Sequence, residues 1–187
     1  MSICHTVKRK WYTITGMLLA ALSLSGCPRQ ELQAEVATME PDRRVHHRKE
    51  GFSIIPPPGY RDNGASFWHI MNFLGPEEGD FTVNINVWSH KDNGLDIEQA
   101  GPTLRRITSA YLSKYQLLED GFLDLPHGRA YYAYGSYQWS GRKVKSITYC
   151  LRGGNGRVYA VTYNAPAESF DTHRPHFETS IQTVACQ

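Results

Sequence analysis

The chain has 187 residues, of which 20 are Lys or Arg, 18 are Asp or Glu and 41% are hydrophobic. Three of the basic residues, Lys8, Arg9 and Lys10, lie before Cys27, so the remainder carries 17 basic against 18 acidic side chains. So nearly neutral a chain lacks the basic face that marks a nucleic-acid partner, and its length suits one domain with a sizeable core.

Lys8-Arg9-Lys10 is followed by an uncharged, largely apolar stretch from Trp11 to Leu24 and then by Ser25 and Gly26, the order of a secretory signal. The apolar stretch is shorter than the roughly 20 residues a helix needs to cross a bilayer core, which argues for cleavage over a permanent span. Leu24-Ser25-Gly26-Cys27 resembles the lipobox of bacterial lipoproteins. That resemblance implies that Cys27 takes a diacylglyceryl thioether, becomes the first residue after cleavage and is then N-acylated. Two or three acyl chains, at about 0.8 kcal/mol per buried methylene, hold a protein on a membrane where a single chain is marginal. The expected location is the bacterial cell envelope, lipid-anchored and facing the periplasm or the exterior, with the leaflet left open; Pro28, and no Asp, follows Cys27.

Residues 28–48, "PRQELQAEVATMEPDRRVHHR", are mostly polar and show no sustained period, as a tether would. The expected layout is thus a signal peptide over 1–26, a lipid-attached tether over 27–48 and a folded domain over 49–187. The basic cluster Arg43, Arg44, His46, His47, Arg48 and Lys49 is either solvated or in touch with anionic headgroups.

"GFSIIPPPGY" reads as a short strand stopped by Pro56, Pro57 and Pro58, which have no N–H for a ladder. "ASFWHIMNF" is a second strand candidate. In "DFTVNINVWSH", Val83, Ile85 and Val87 alternate with Thr82, Asn84 and Asn86, the period of a half-buried strand. Leu104, Ile107, Tyr111, Leu112 and Tyr115 then fall on one helical face, with Pro102 near the helix start where its missing N–H costs nothing. Next come "QLLEDGFLDL", "GRAYYAYGSYQW", "RKVKSITYCLR" and "RVYAVTYNAP", aromatic and β-branched runs parted by short Gly-containing links. Gly153-Gly154-Asn155-Gly156 is a hairpin signal, because those residues accept positive φ. Phe170, Phe177, Ile181 and Val184 mark a closing helix capped by Asp171 or Thr172. The order of strands, helix, strands, helix defines an α+β domain with a mainly antiparallel sheet.

Several of these segments together resemble the PsbP-like and DcrB-like family: "GFSIIPPPGY", the helix ending near Tyr115, "LEDGFLDLPHGRAYYAYGSY" with Gly128-Arg129-Ala130 opening the long strand, and "VYAVTYNAPAESFDTHRPHFETSIQTV". In the last, Thr162-Tyr163-Asn164-Ala165-Pro166 and Phe170 match a T-x-x-A-P turn followed by Phe and a final helix. The resemblance covers roughly residues 50–185 and implies an α/β/α sandwich, a central twisted antiparallel sheet flanked by helices. It also implies no catalytic apparatus and no cofactor. Among the branches of the family, small envelope lipoproteins fit best because of the lipobox.

With Cys4 in the signal and Cys27 acylated, Cys150 and Cys186 remain for an oxidising compartment. A disulfide between them is conceivable, since the closing helix should return Cys186 to the Cys150 end of the sheet; the face to which Cys150 points stays open. His173 and His176 stand at i, i+3 on that helix, but nothing nearby completes a zinc signature, so no metal is expected. Glu77, Glu78 and Asp80 form an acidic loop, read as solvated rather than cation-binding. There is no G-x-S-x-G, and no glycine-rich turn resembles a phosphate loop. Trp68, Trp88, Tyr134 and Trp139 are the candidates for a binding surface, although the same aromatic residues could fill the two layers between sheet and helices. The functional expectation is a membrane-anchored, non-enzymatic module for binding or assembling a protein partner. The competing reading is a small-ligand carrier or enzyme with a pocket between sheet and helix.

Overall fold

A computed structural model describes residues 43–187; Cys27, the signal and the tether up to residue 42 lie outside the described residues. The elements run β1 (Val45–His47), β2 (Phe52–Ile54), β3 (Arg61–Asp62), β4 (Met71–Glu78), β5 (Phe81–Lys91), α1 (Ile97–Tyr111), β6 (Gln116–Leu125), β7 (Gly128–Trp139), β8 (Arg142–Arg152), β9 (Arg157–Pro166), α2 (Phe170–Gln182) and β10 (Ala185–Cys186). Seven strands form one sheet in the order β3-β4-β5-β9-β8-β7-β6, and a smaller sheet joins β1, β2 and β10. Neighbouring strands of the large sheet are antiparallel. The helices cover opposite faces, which makes the domain the expected α+β, α/β/α sandwich.

Period-two alternation decides what each helix meets. The residues of β5 that point to α2 are Val83, Ile85 and Val87; with Tyr149, Tyr163, Phe170, Phe177 and Ile181 they form the main core. Phe177 is fully buried, its ring 4.9 Å from that of Tyr163 and 5.8 Å from that of Phe170. On the other face a smaller cluster of Ile97, Tyr131, Ala133, Cys150 and Ala160 lies beneath α1.

The first helix departs from the sequence reading. It begins at Ile97, ahead of Pro102, because Asp96 caps it: Asp96 Oδ1 accepts the Gln99 N–H at 2.9 Å. Its buried residues are Ile97, Ala100 and Gly101, whereas Ile107 and Tyr111 are 48% and 85% exposed. Small residues face the sheet because the helix rides close to it. A Cβ on Gly101 would come within 2.4 Å of the Tyr131 Cβ, so only glycine permits this approach.

Three further segments differ. Residues 43–48, assigned by sequence to the tether, belong to the fold: Arg44 donates to the Thr183 carbonyl at 2.7 Å and to Ser53 Oγ at 3.1 Å, and β1 pairs with β2. The segment "ASFWHI" is a hairpin tip instead of a strand; Ser66 N–H donates to the His69 carbonyl at 2.8 Å while Ser66 Oγ accepts the His69 N–H at 3.1 Å. At the start of α2 the N-cap position is Ser169, not Asp171 or Thr172. Its hydroxyl makes no cap bond and donates instead to Glu78 Oε2.

Candidate functional site

On the α1 side, strand register stacks three rungs across the sheet. The outer rung, Trp88, Ala160, Cys150 and Tyr131, is apolar and lies under the helix. The next holds Asn72, Asn86, Thr162, Thr148 and Ala133, and the third Leu74, Asn84, Asn164, Ser146 and Gly135. Because α1 ends at Tyr111, the two polar rungs floor a cavity of about 190 Å³ between helix and sheet. Its walls include Trp88, Leu104, Leu112 and Tyr115, with His69, Arg105, Thr108, Ser109 and Tyr137 also on the lining. Gly135 makes room for the Tyr115 ring, which would stand 2.7 Å from a Cβ there.

The floor carries an amide network and, beside it, a hydroxyl pair. Asn86 Nδ2 and Asn164 Nδ2 both donate to Asn84 Oδ1, at 2.9 and 3.0 Å. Tyr137 Oη donates to Asn164 Oδ1 at 3.1 Å, and the hydroxyls of Thr148 and Thr162 lie 3.0 Å apart. Burial pushes the Tyr137 phenol up to about 12, which keeps it a donor at neutral pH. Burial also lowers the pKa of His69, so this imidazole is neutral at pH 7. The one permanent charge on the lining, Arg105, is opposed by Asp120, 3.5 Å from its Nε. Asp120 Oδ2 in turn accepts the Tyr131 hydroxyl at 2.6 Å. The cavity is therefore electrically neutral, polar at its floor and aromatic at its walls.

The four aromatic candidates do not converge. Trp88 lines the cavity. Trp68 stands on the β3–β4 hairpin tip beside Phe67; their rings meet edge-on at 4.8 Å, and they are 77% and 90% exposed. The tip is a built structure, closed at its base by the Asn63 N–H donating to the Asn72 carbonyl at 2.7 Å. His69, the next residue on the same turn, reaches the cavity lining. Tyr134 is on the opposite face, its ring 5.3 Å from that of Phe170 and tilted 31° to it, with Lys145 and Arg174 over the Tyr134 ring. Trp139 packs edge-on against Phe81 at 5.4 Å, remote in register from the cavity floor.

Cys150 and Cys186 are both free thiols. They do share an end of the sheet, since the Asn155 N–H donates to the Gln187 carbonyl at 3.2 Å, but Cys150 belongs to the α1-side cluster and Cys186 packs on the α2-side core. The sheet stands between them, a separation that side-chain alternation on β8 dictates and that no disulfide spans. Burial pushes both thiols up to about 12, so neither is a thiolate nucleophile.

In the acidic loop Glu77 and Asp80 are exposed, as expected, but Glu78 is tied down. Glu78 accepts from Ser169, lies 2.6 Å from His173 Nε2, and its carbonyl accepts from Arg142, which also meets Asp80 at 3.1 Å. Desolvation alone would raise the Glu78 pKa, but the bonds from Ser169 and His173 and the charges of His173 and Arg142 hold it below the ordinary carboxylate value. Among the described residues no group of three or more His, Cys, Asp or Glu is placed to hold a metal ion, and no helix is long and apolar enough to cross a membrane.

The sequence matches no protein-family model and no curated protein. Solved structures do match. LpqN of Mycobacterium tuberculosis, involved in cell envelope biogenesis, superposes with a TM-score of 0.59 at 16% identity, covering 76% of this chain and 88% of its own. The cyanobacterial PsbP of Synechocystis gives 0.54 at 16% identity, covering 77% and 91%. The Ran-binding protein Mog1p of Saccharomyces cerevisiae gives 0.54 at 11% identity, covering 76% and 93%. At such identities the likeness is one of fold: the domain has the PsbP/Mog1-like fold.

Proposed function

We infer that this chain is a lipid-anchored protein of the bacterial envelope, of the DcrB-like kind, whose domain is a non-enzymatic binding module for a protein partner. The observation that carries the reading is the hairpin tip holding Phe67 and Trp68 out in water at 90% and 77% exposure. An aromatic pair on a tip fixed by three hydrogen bonds contributes little to the core, whereas Trp is prominent among the side chains that dominate protein interfaces. The lipobox at Leu24-Ser25-Gly26-Cys27 supplies the anchor, with residues 1–26 removed as signal and the stretch from Cys27 to residue 42 as tether. LpqN acts in envelope biogenesis and Mog1p binds Ran, so the fold is used elsewhere in an envelope and for protein binding. The raised thiols of Cys150 and Cys186 speak against a cysteine nucleophile.

Cross-linking and capture of the full chain from detergent-solubilised envelopes tests the partner. The wild type should retain one protein reproducibly, and Phe67→Ser with Trp68→Ser should lose it while melting at the same temperature. Capture of no reproducible protein by the wild type sinks this part. Cys27→Ser should release the domain from membranes or leave the precursor uncut; a variant that is cut and still membrane-bound sinks the anchor.

A further inference from the structure

The same strands that build a dry aromatic core against α2 present Asn84, Asn86, Thr148, Thr162 and Asn164 toward α1, and stability alone does not call for that floor. A polar network beneath a helix is costlier to assemble than an apolar layer unless each group is satisfied, and here the helix stops short and leaves the network facing a cavity of about 190 Å³. Asn164, at 5% exposure, is engaged at both ends of its amide: its carbonyl oxygen accepts from Tyr137 and its amide nitrogen donates to Asn84. The Thr148 and Thr162 pair is not saturated. A hydroxyl has one hydrogen and two lone pairs, so their mutual bond leaves one O–H and several lone pairs available. Asn86 spends one amide hydrogen on Asn84 and keeps acceptor capacity on Oδ1.

A ligand for this floor must therefore donate and accept at neighbouring positions. It carries no net charge, because Arg105 is opposed by Asp120 and the lining holds no carboxylate. It has an apolar surface to lay on the Trp88 and Tyr115 rings. The cavity is smaller than the ~300–1,000 Å³ of drug-sized pockets, which limits the ligand to about one small ring. We propose that the cavity between α1 and the sheet binds a small neutral polyhydroxylated ligand of the monosaccharide class, its hydroxyls on Thr148, Thr162 and Asn86 and its C–H face on Trp88. The proposal does not depend on the protein-partner reading, and the two can fail separately, one by capture and the other by titration.

Saturation-transfer NMR on the full chain in detergent, with glucose, N-acetylglucosamine and glycerol as probes and glucose 6-phosphate as the charged control, tests it. At least one neutral monosaccharide should give a saturable signal with a millimolar or tighter dissociation constant, and the phosphate ester should bind more weakly than its parent sugar. Thr148→Val with Thr162→Val should weaken that binding by about tenfold, the loss of about one net hydrogen bond. Ser109→Trp, at a half-exposed helix position on the lining, should fill the space and abolish it in a folded protein. No saturable binding of any neutral sugar, equal or tighter binding of glucose 6-phosphate, or binding unchanged in Ser109→Trp would overturn the assignment.

Discussion

The two faces of the large sheet are made by the same strands, yet they have been put to different uses. Against α2, Val83, Ile85, Val87, Tyr149, Tyr163, Phe170 and Phe177 close into an apolar layer in which nearly every ring is buried. Against α1, the rung of Trp88, Ala160, Cys150 and Tyr131 is packed by the helix together with Ala133, and the rest of the next two rungs is mostly amides and hydroxyls beside a cavity. The contrast separates the part of the domain that holds it together from the part free to bind something.

Four variants break or sharpen that contrast. Phe177→Ala, on the packed face, should cost the most, about 3–5 kcal/mol in denaturant unfolding, the range for deleting a buried phenyl ring; a cost under about 1 kcal/mol would show that this face is not the stabilising one. Gly101→Ala drives a methyl into Tyr131 where α1 docks, and should cost about 1–3 kcal/mol by forcing helix and strand apart. Were it neutral or stabilising, as a glycine-to-alanine change in an open helix is, the close approach would be wrong.

Glu78→Gln acts through pH. The folded carboxyl titrates below its ordinary value of 4.5, so its contribution is complete above that value and fades as acid protonates the folded group. Wild-type stability should fall more steeply than that of Glu78→Gln as pH drops below 4.5; parallel curves would refute the clamp between the acidic loop and α2. The smallest effect is expected on the cavity floor. Thr148→Val with Thr162→Val removes both partners of one hydrogen bond and keeps their shape, which should leave stability nearly unchanged. A large loss of stability would make the floor structural and erase the distinction between the faces.

Much of this was readable along the chain. The runs "RKVKSITYCLR" and "RVYAVTYNAP" are β8 and β9 from end to end, since alternation and the Gly153-to-Gly156 turn act over neighbouring residues. The first helix was misjudged because its pattern was weighed by bulk: Ile107 and Tyr111 are large and exposed, while Ala100 and Gly101 are small and buried. Nothing local marks Gly101 as a contact, because its partner Tyr131 arrives from β7. Of the site, Trp88 was a candidate, but the floor was not identified. Asn84 and Asn86 read as the wet side of a half-buried strand, and only pairing with Thr162 and Asn164 reveals that the wet side is a shared, partly covered floor.

By itself the sequence determined the strand alternation, the order of elements and the resemblance of Leu24-Ser25-Gly26-Cys27 to a lipobox, all properties of residues within a few positions of one another. The tertiary structure alone decided that Cys150 and Cys186 lie on opposite faces, that "ASFWHI" turns outward and that α1 stops short over a polar floor. Those outcomes depend on register and on the lengths of elements far apart in the chain, and a one-residue slip of a strand would have exchanged its two faces.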